Sequence, residues 1–116
     1  MVEFATHVHD LPEDPSIRLV RLAGSLDTTT SPALDTLLRQ ESEQATKILV
    51  DLSQVDYISS AGWGVFLTVV RPLRERGGDL VLLGMRRDVD EVFRLLEFQS
   101  ILMAVDSVDE LLAATR

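Results

Sequence analysis

The sequence predicts a single α/β domain, with a mixed, mostly parallel sheet of about five strands packed against four helices. Three observations predict it. Short β-branched or wholly apolar runs alternate with stretches whose apolar residues recur at helical spacing. Each later strand is separated from the one before by a helix, and such a return lays the strands parallel, with right-handed crossovers. A length of 116 residues, 46% hydrophobic and 26% charged, suits one buried core and excludes a disordered or low-complexity chain.

Val2 to Val8 alternates Phe4, Thr6 and Val8 against Glu3, Ala5 and His7 and reads as an edge strand, followed by a loop over the Pro12 to Pro15 cluster. Ile17 to Leu22 is a second strand, closed by Gly24. Ser31-Pro32 starts a helix, with the serine as its cap and the proline where no N–H is needed. In that helix Leu34, Leu37, Leu38 and Ala45 share the apolar spacing, while Asp35, Arg39, Gln40 and Glu43 face water. Lys47 to Leu52 is almost wholly apolar, as a central strand covered on both faces would be.

A second helix follows Ser59-Ser60, with Phe66, Val69, Val70 and Leu73 on one stripe and Gly77-Gly78 as its stop; Pro72 predicts a bend or fraying in its last turn. Leu80 to Leu83 is the next strand. Asp88 is expected to cap a helix that buries Val89, Val92, Phe93 and Leu96, and Ile101 to Val105 to form a short strand. Ser107 and Glu110 make a capping box before Leu111 and Leu112. The order is β-β-α-β-α-β-α-β-α.

Nineteen acidic against eleven basic side chains leave a net charge of -8, and the basic ones are Lys47 and scattered arginines. That argues against nucleic acid and anionic membrane surfaces as partners, because affinity for phosphate comes mainly from clustered Lys and Arg. With no cysteine, disulfide frameworks and thiolate metal sites are excluded as well. The longest apolar runs, such as Leu80 to Leu83, fall far short of the ~20 residues of a membrane span. Glu3, His7, His9 and Asp10 interrupt any signal-like stretch. A soluble cytoplasmic domain is the expectation.

Ligands and partners of open α/β sheets are met at loops beyond the carboxyl ends of the strands. Two loops qualify, Gly24 to Ser31 and Asp51 to Gly64. In the second, Ser60 falls at or beside the first residue of a helix, with only Ala61, Gly62 and Gly64 as small neighbours, so its hydroxyl is reachable. A phosphate there would sit among free N–H groups at the positive end of the helix. A serine at a helix start is also commonly a simple cap. Spacing leaves both roles open.

The stretch VDLSQVDYISSAGWGVFL, preceded by LAGSLDTTTSPAL and followed by RERGGDLVLLGM, resembles the anti-sigma factor antagonists, the STAS domain family. The likeness covers nearly the whole chain and rests on four features: Gly24 to Asp27, Asp51-Leu52-Ser53, the Ser-Ser-Ala-Gly turn and the Gly-Gly pair. It implies a STAS-like domain over residues 1–116. It names Ser60, two residues before the first glycine of the turn, as phosphoacceptor; Ser59, standing where many members carry an acidic residue, is the second choice.

The resemblance further implies a partner-facing surface containing Asp27, Thr28, Ser59, Gly62 and Trp63. Asp27 has an equally good local role, accepting the N–H groups of Thr29 or Thr30 in a turn. Asp51 and Ser53 read as structural, Asp56 as a solvated turn residue, and Trp63 as core in preference to an exposed anchor.

As the resemblance has it, the protein is a non-enzymatic switch. Unphosphorylated, it binds an anti-sigma factor that is also a serine kinase and so frees a sigma factor; phosphorylated, it lets go, and a PP2C-type phosphatase resets it. Nucleotide and Mg²⁺ belong to the kinase, so no cofactor is expected here. The alternative keeps the fold for the soluble subunit of a lipid-transport complex or a stress-signalling scaffold.

Other chemistries fit poorly. A serine hydrolase needs a base near Ser60, but the only histidines are His7 and His9, and no G-x-S-x-G elbow is present. Those two histidines share one face of a strand, but no cysteine stands nearby as a third metal ligand, and such pairs are commonly surface residues. Gly62-x-Gly64 lacks the remaining residues of a phosphate-binding loop. A receiver domain would need an acidic pair after its first strand and a late lysine, and the only lysine is Lys47.

Overall fold

The computed structural model describes residues 4–114. Its elements follow the expected order: β1 (Ala5–Leu11), β2 (Asp14–Leu26), α1 (Ser31–Gln44), β3 (Lys47–Ile58), α2 (Ser60–Glu75), β4 (Asp79–Leu83), α3 (Arg87–Leu95), β5 (Met103–Val105) and α4 (Val108–Ala114), with a 3₁₀ turn at Phe98–Ser100 before β5. The five strands lie side by side in the order β1-β2-β3-β4-β5. The first pair is antiparallel, and β2, β3, β4 and β5 are parallel.

Alternation along β3 gives the sheet two apolar faces. Ile48, Val50 and Leu52 join Leu34 and Leu38 of α1, the stripe of α2, and Val89 and Phe93 of α3 in the larger core. Leu49 turns the other way, to Ile17, Leu19, Val81, Val105 and Leu111 of α4. The central strand is therefore covered on both faces, as its near-continuous apolar run implies.

The strands differ from the sequence expectation at their ends. The edge strand lies at Ala5–Leu11, later than Val2 to Val8, and Val2 and Glu3 fall outside the described residues. The turn is confined to Pro12 and Glu13, and Pro15 already belongs to β2. Gly24 does not close β2. It takes a φ of +105°, which a glycine adopts without strain, at a register shift, and the strand continues to Leu26. That extension supplies ladder partners for β3, with Ser25 opposite Tyr57 and Leu26 opposite Ile58. Asp51, Ser53 and Asp56 consequently stand in a strand, where the sequence reading placed a loop. At the other edge, β5 is shorter than Ile101 to Val105, and Ile101 is exposed.

The helices show the same pattern of correct cores and shifted ends. α1 begins with Ser31 inside the helix and Thr30 at the cap position, so Ser31 is not the cap; its hydroxyl donates to the carbonyl of Asp27. Ala45 lies just beyond α1. Pro72 sits within α2, and the helix nevertheless runs on to Glu75. It closes with Gly77 N–H on the Arg74 carbonyl and Gly78 N–H on that of Leu73, a Schellman arrangement that requires the positive φ of +80° at Gly77. In α4, Glu110 N–H donates to the Ser107 hydroxyl at 3.1 Å, the first half of the expected capping box, and the Glu110 carboxylate reaches back to Asp106 N–H.

α3 departs most. Its cap position holds Arg86, and Asp88 is inside the first turn, accepting from Val89 N–H. Only Val89 and Phe93 are buried; Val92 and Leu96 are 41% and 51% exposed. Positions four apart share a face, so 89 and 93 face the core together while 92 and 96 form a separate flank. Apolar spacing alone does not separate the two.

Candidate functional site

The parallel strands β2, β3 and β4 all point their carboxyl ends to the same end of the sheet, where α1, α2 and α3 begin. The loop after β2 is tied down by its own polar groups. Asp27 Oδ1 accepts from Thr29 N–H at 2.9 Å and from Thr30 N–H at 3.0 Å, while Asp27 N–H donates to the Thr30 hydroxyl at 2.9 Å. The Thr30 N–H, chiefly, holds the Asp27 carboxyl below the ordinary carboxylate range. The local role foreseen for Asp27 is present, and it uses both threonines. Thr28 is exposed at the tip of this loop.

The second loop contains the two serines, and the structure separates them. Ser59 is the cap of α2, and its hydroxyl accepts from Gly62 N–H at 3.3 Å. Ser60 is the first helical residue and is exposed. The amides of Ser60 and Ala61 stand in the first turn, where a helix has no internal acceptor to offer them. At this spot a free hydroxyl meets the positive end of a helix.

The two loops are joined at one point. Ser59 N–H donates to the Leu26 carbonyl at 2.7 Å. Gly62 lies so close beneath that a Cβ would come within 2.9 Å of Ile58 Cγ2, 3.0 Å of Leu26 Cβ and 3.1 Å of Leu26 O. Gly62 is thus needed for contact between α2 and the end of β2, and it is buried.

Trp63 is 3% exposed and packs in a cluster of aromatic rings, with centroids 5.2 Å from Phe98, 5.8 Å from Phe93 and 6.3 Å from Phe66. It belongs to the core. Its indole N–H is buried without an acceptor among the described residues.

A groove of about 340 Å³ opens between the start of α2 and α3. Ser59, Ser60 and Trp63 line it on one side and Val89, Val92 and Leu96 on the other, with Asp56, Tyr57, Ile58 and Asp88 completing its walls. Asp27 and Thr28 are not among these lining residues, though the Ser59–Leu26 bond places their loop next to the start of α2. Tyr57, Asp88, Val92 and Leu96 carry no site signal in the sequence, and Asp56 is not the solvated turn residue expected. Asp56 in fact stands on β3, where its carboxylate accepts from the Ser25 hydroxyl at 2.7 Å.

Asp51 is structural, as expected. It is 8% exposed, pairs with Arg21 at 3.1 Å and accepts from Ser53 N–H at 2.9 Å. Among the described residues no group of His, Asp and Glu is arranged to hold a metal ion, and no helix is long and apolar enough to cross a membrane.

Comparison with known proteins gives a consistent picture. The STAS domain family model matches residues 9–111. BtrV of Bordetella bronchiseptica, classed by name with the anti-sigma factor antagonists, is 35% identical over 94 residues, covering 80% of this chain and 81% of that protein. The anti-sigma-B factor antagonist of Listeria monocytogenes is 35% identical over 77 residues, 66% of this chain and 65% of its own length. The crystal structure of an anti-sigma factor antagonist from Mycobacterium paratuberculosis superposes with a TM-score of 0.83 at 19% identity, over 97% of this chain and 93% of that one.

Proposed function

The chain belongs to the STAS domain family, and from that premise we propose that it is an anti-sigma factor antagonist whose hold on its partner is switched by phosphorylation of Ser60. The whole chain, residues 1–116, acts as one non-enzymatic domain in the cytoplasm. Its partner is an anti-sigma factor with serine kinase activity, and capture of that partner frees a sigma factor. A PP2C-type phosphatase restores the active form.

The observation that carries this reading is the division of labour between the two serines: Ser59 holds the helix cap and Ser60 presents an exposed hydroxyl beside it. A kinase can take the Ser60 proton and transfer the γ-phosphoryl group of its ATP to the oxygen, with ADP leaving, without unpicking the helix start. The product dianion is favoured there by the helix dipole and the free amides of the first turn. The same charge, about -1.5 to -2 at neutral pH, is unfavourable when a partner covers it and strips its water. A penalty of about 3 to 4 kcal/mol would weaken binding several hundredfold.

The test is to incubate the protein with ATP and the anti-sigma factor kinase of its own genome and to map phosphate by mass spectrometry. Label is expected on Ser60 in the native chain and in Ser59→Ala, and to be absent from Ser60→Ala. Label lost in Ser59→Ala and kept in Ser60→Ala would move the switch to Ser59. No label on any of the three would favour the transport or scaffold role.

A further inference from the structure

Five large apolar side chains are exposed among the described residues, and three of them, Tyr57, Val92 and Leu96, line the groove that Ser60 lines. They stand on two different elements, β3 and the end of α3, and none packs into the core. Two carboxylates, Asp56 and Asp88, line the same groove, and neither has an ion-pair partner among the described residues. Each accepts only a neutral donor, Asp56 the Ser25 hydroxyl and Asp88 the Val89 amide. The nearby arginines are engaged elsewhere, Arg86 on the Ser53 carbonyl and Arg87 with Glu91.

Resting on the Ser60 reading, we propose that this groove is the specificity pocket for the anti-sigma factor kinase, taking an apolar side chain of that protein flanked by a lysine or arginine. Any protein that brings a reactive phosphoryl group to Ser60 must cover the groove the serine lines. The apolar walls reward burial of an apolar side chain. The two unpaired carboxylates call for a cation, which selects among partners and speeds encounter. Phosphate on Ser60 would then place a dianion beside two carboxylates, more charge than one partner cation neutralises. A closed interface would bury the excess, and the complex would open.

Calorimetry of the unphosphorylated chain with the anti-sigma factor kinase of its genome tests this. Val92→Ser and Leu96→Ser are each expected to weaken binding about tenfold. Leu95→Ser, 81% exposed and outside the groove, is expected to bind as the native chain does. An Asp56→Asn, Asp88→Asn double variant should bind more weakly and lose much of the salt dependence, since exposed charge pairs are screened by salt. All variants are at exposed positions, and urea midpoints check that the fold is intact.

Native affinity in the Val92, Leu96 and double-Asp variants, alongside weakened binding of Ser60→Asp, would overturn the pocket and leave the switch standing. Weakened groove variants with native binding of Ser60→Asp and no phosphate on Ser60 would uphold the pocket and overturn the switch. Equal losses in Leu95→Ser and Leu96→Ser would overturn the pocket, since the effect would then not belong to the groove.

Discussion

The backbone N–H of Ser59 and the carbonyl of Leu26 meet at 2.7 Å, making one joint of the end of β2 and the start of α2. Two loops whose joined residues, Leu26 and Ser59, stand 33 positions apart in the chain are thereby held together. The Ser60 hydroxyl, one residue on, is aimed by the backbone on either side of it and needs no side-chain bond of its own.

The joint depends on a glycine. In Gly62→Ala the added methyl must displace Ile58 or the Leu26 backbone. Overpacking of that kind costs about 1–3 kcal/mol against a helix-propensity gain of about 1 kcal/mol. A net loss of up to about 2 kcal/mol is expected. Two residues on, Gly64 has nothing within 4 Å of where its Cβ would lie, and Gly64→Ala should gain about 0.5–1 kcal/mol. Urea midpoints of the two variants should move in opposite directions at unchanged slope; movement in the same direction would mean the Leu26 contact relaxes freely.

The two serines should separate in stability as they do in chemistry. Ser59→Ala removes the cap on Gly62 N–H and is expected to cost about 1 kcal/mol. Ser60→Ala removes an exposed hydroxyl and should stay within about 0.5 kcal/mol of the native chain. Thermal or urea unfolding decides it. A larger loss at Ser60 than at Ser59 would show that the cap has been assigned to the wrong residue.

Asp27 gives a pH signature. Its carboxyl titrates below the ordinary range because the N–H of Thr30, with that of Thr29, prefers the ionised form. A depressed folded-state value contributes stability that is present above the ordinary Asp value of about 3.9 and is lost as the pH falls through the folded-state value. Asp27→Asn keeps an acceptor oxygen and does not titrate. The native chain should be the more stable of the two at neutral pH, and the gap should narrow as the solution is acidified. Parallel curves of urea midpoint against pH would refute this.

The sequence was most informative where one element carries the whole signal. The apolar run of β3 and the stripe Phe66, Val69, Val70 and Leu73 are read from local pattern alone, and Ile48, Leu49, Val50, Leu52 and that stripe lie in the core as expected. The place of Ser60 at or beside a helix start was also legible, because a serine among small residues after a buried strand is a local pattern, but whether it caps that helix was not. The groove beside it was not. Val92 and Leu96 share apolar character with Val89 and Phe93, and nothing in the residues themselves says which pair meets the sheet. Asp56 and Tyr57 were read as loop because their strand exists only through its ladder with an extended β2.

By itself, then, the amino-acid order determined the succession of strands and helices, the parallel returns and the identity of the central strand, since periodicity and turn chemistry act between neighbours in the chain. Tertiary structure alone decided how far β2 and β3 run, which flank of α3 stays in water, and which of two adjacent serines caps the helix. Each of these is a matter of pairing or burial between elements distant in sequence. An exposed apolar wall or a free hydroxyl is what remains after that packing is complete, so no single segment can announce it.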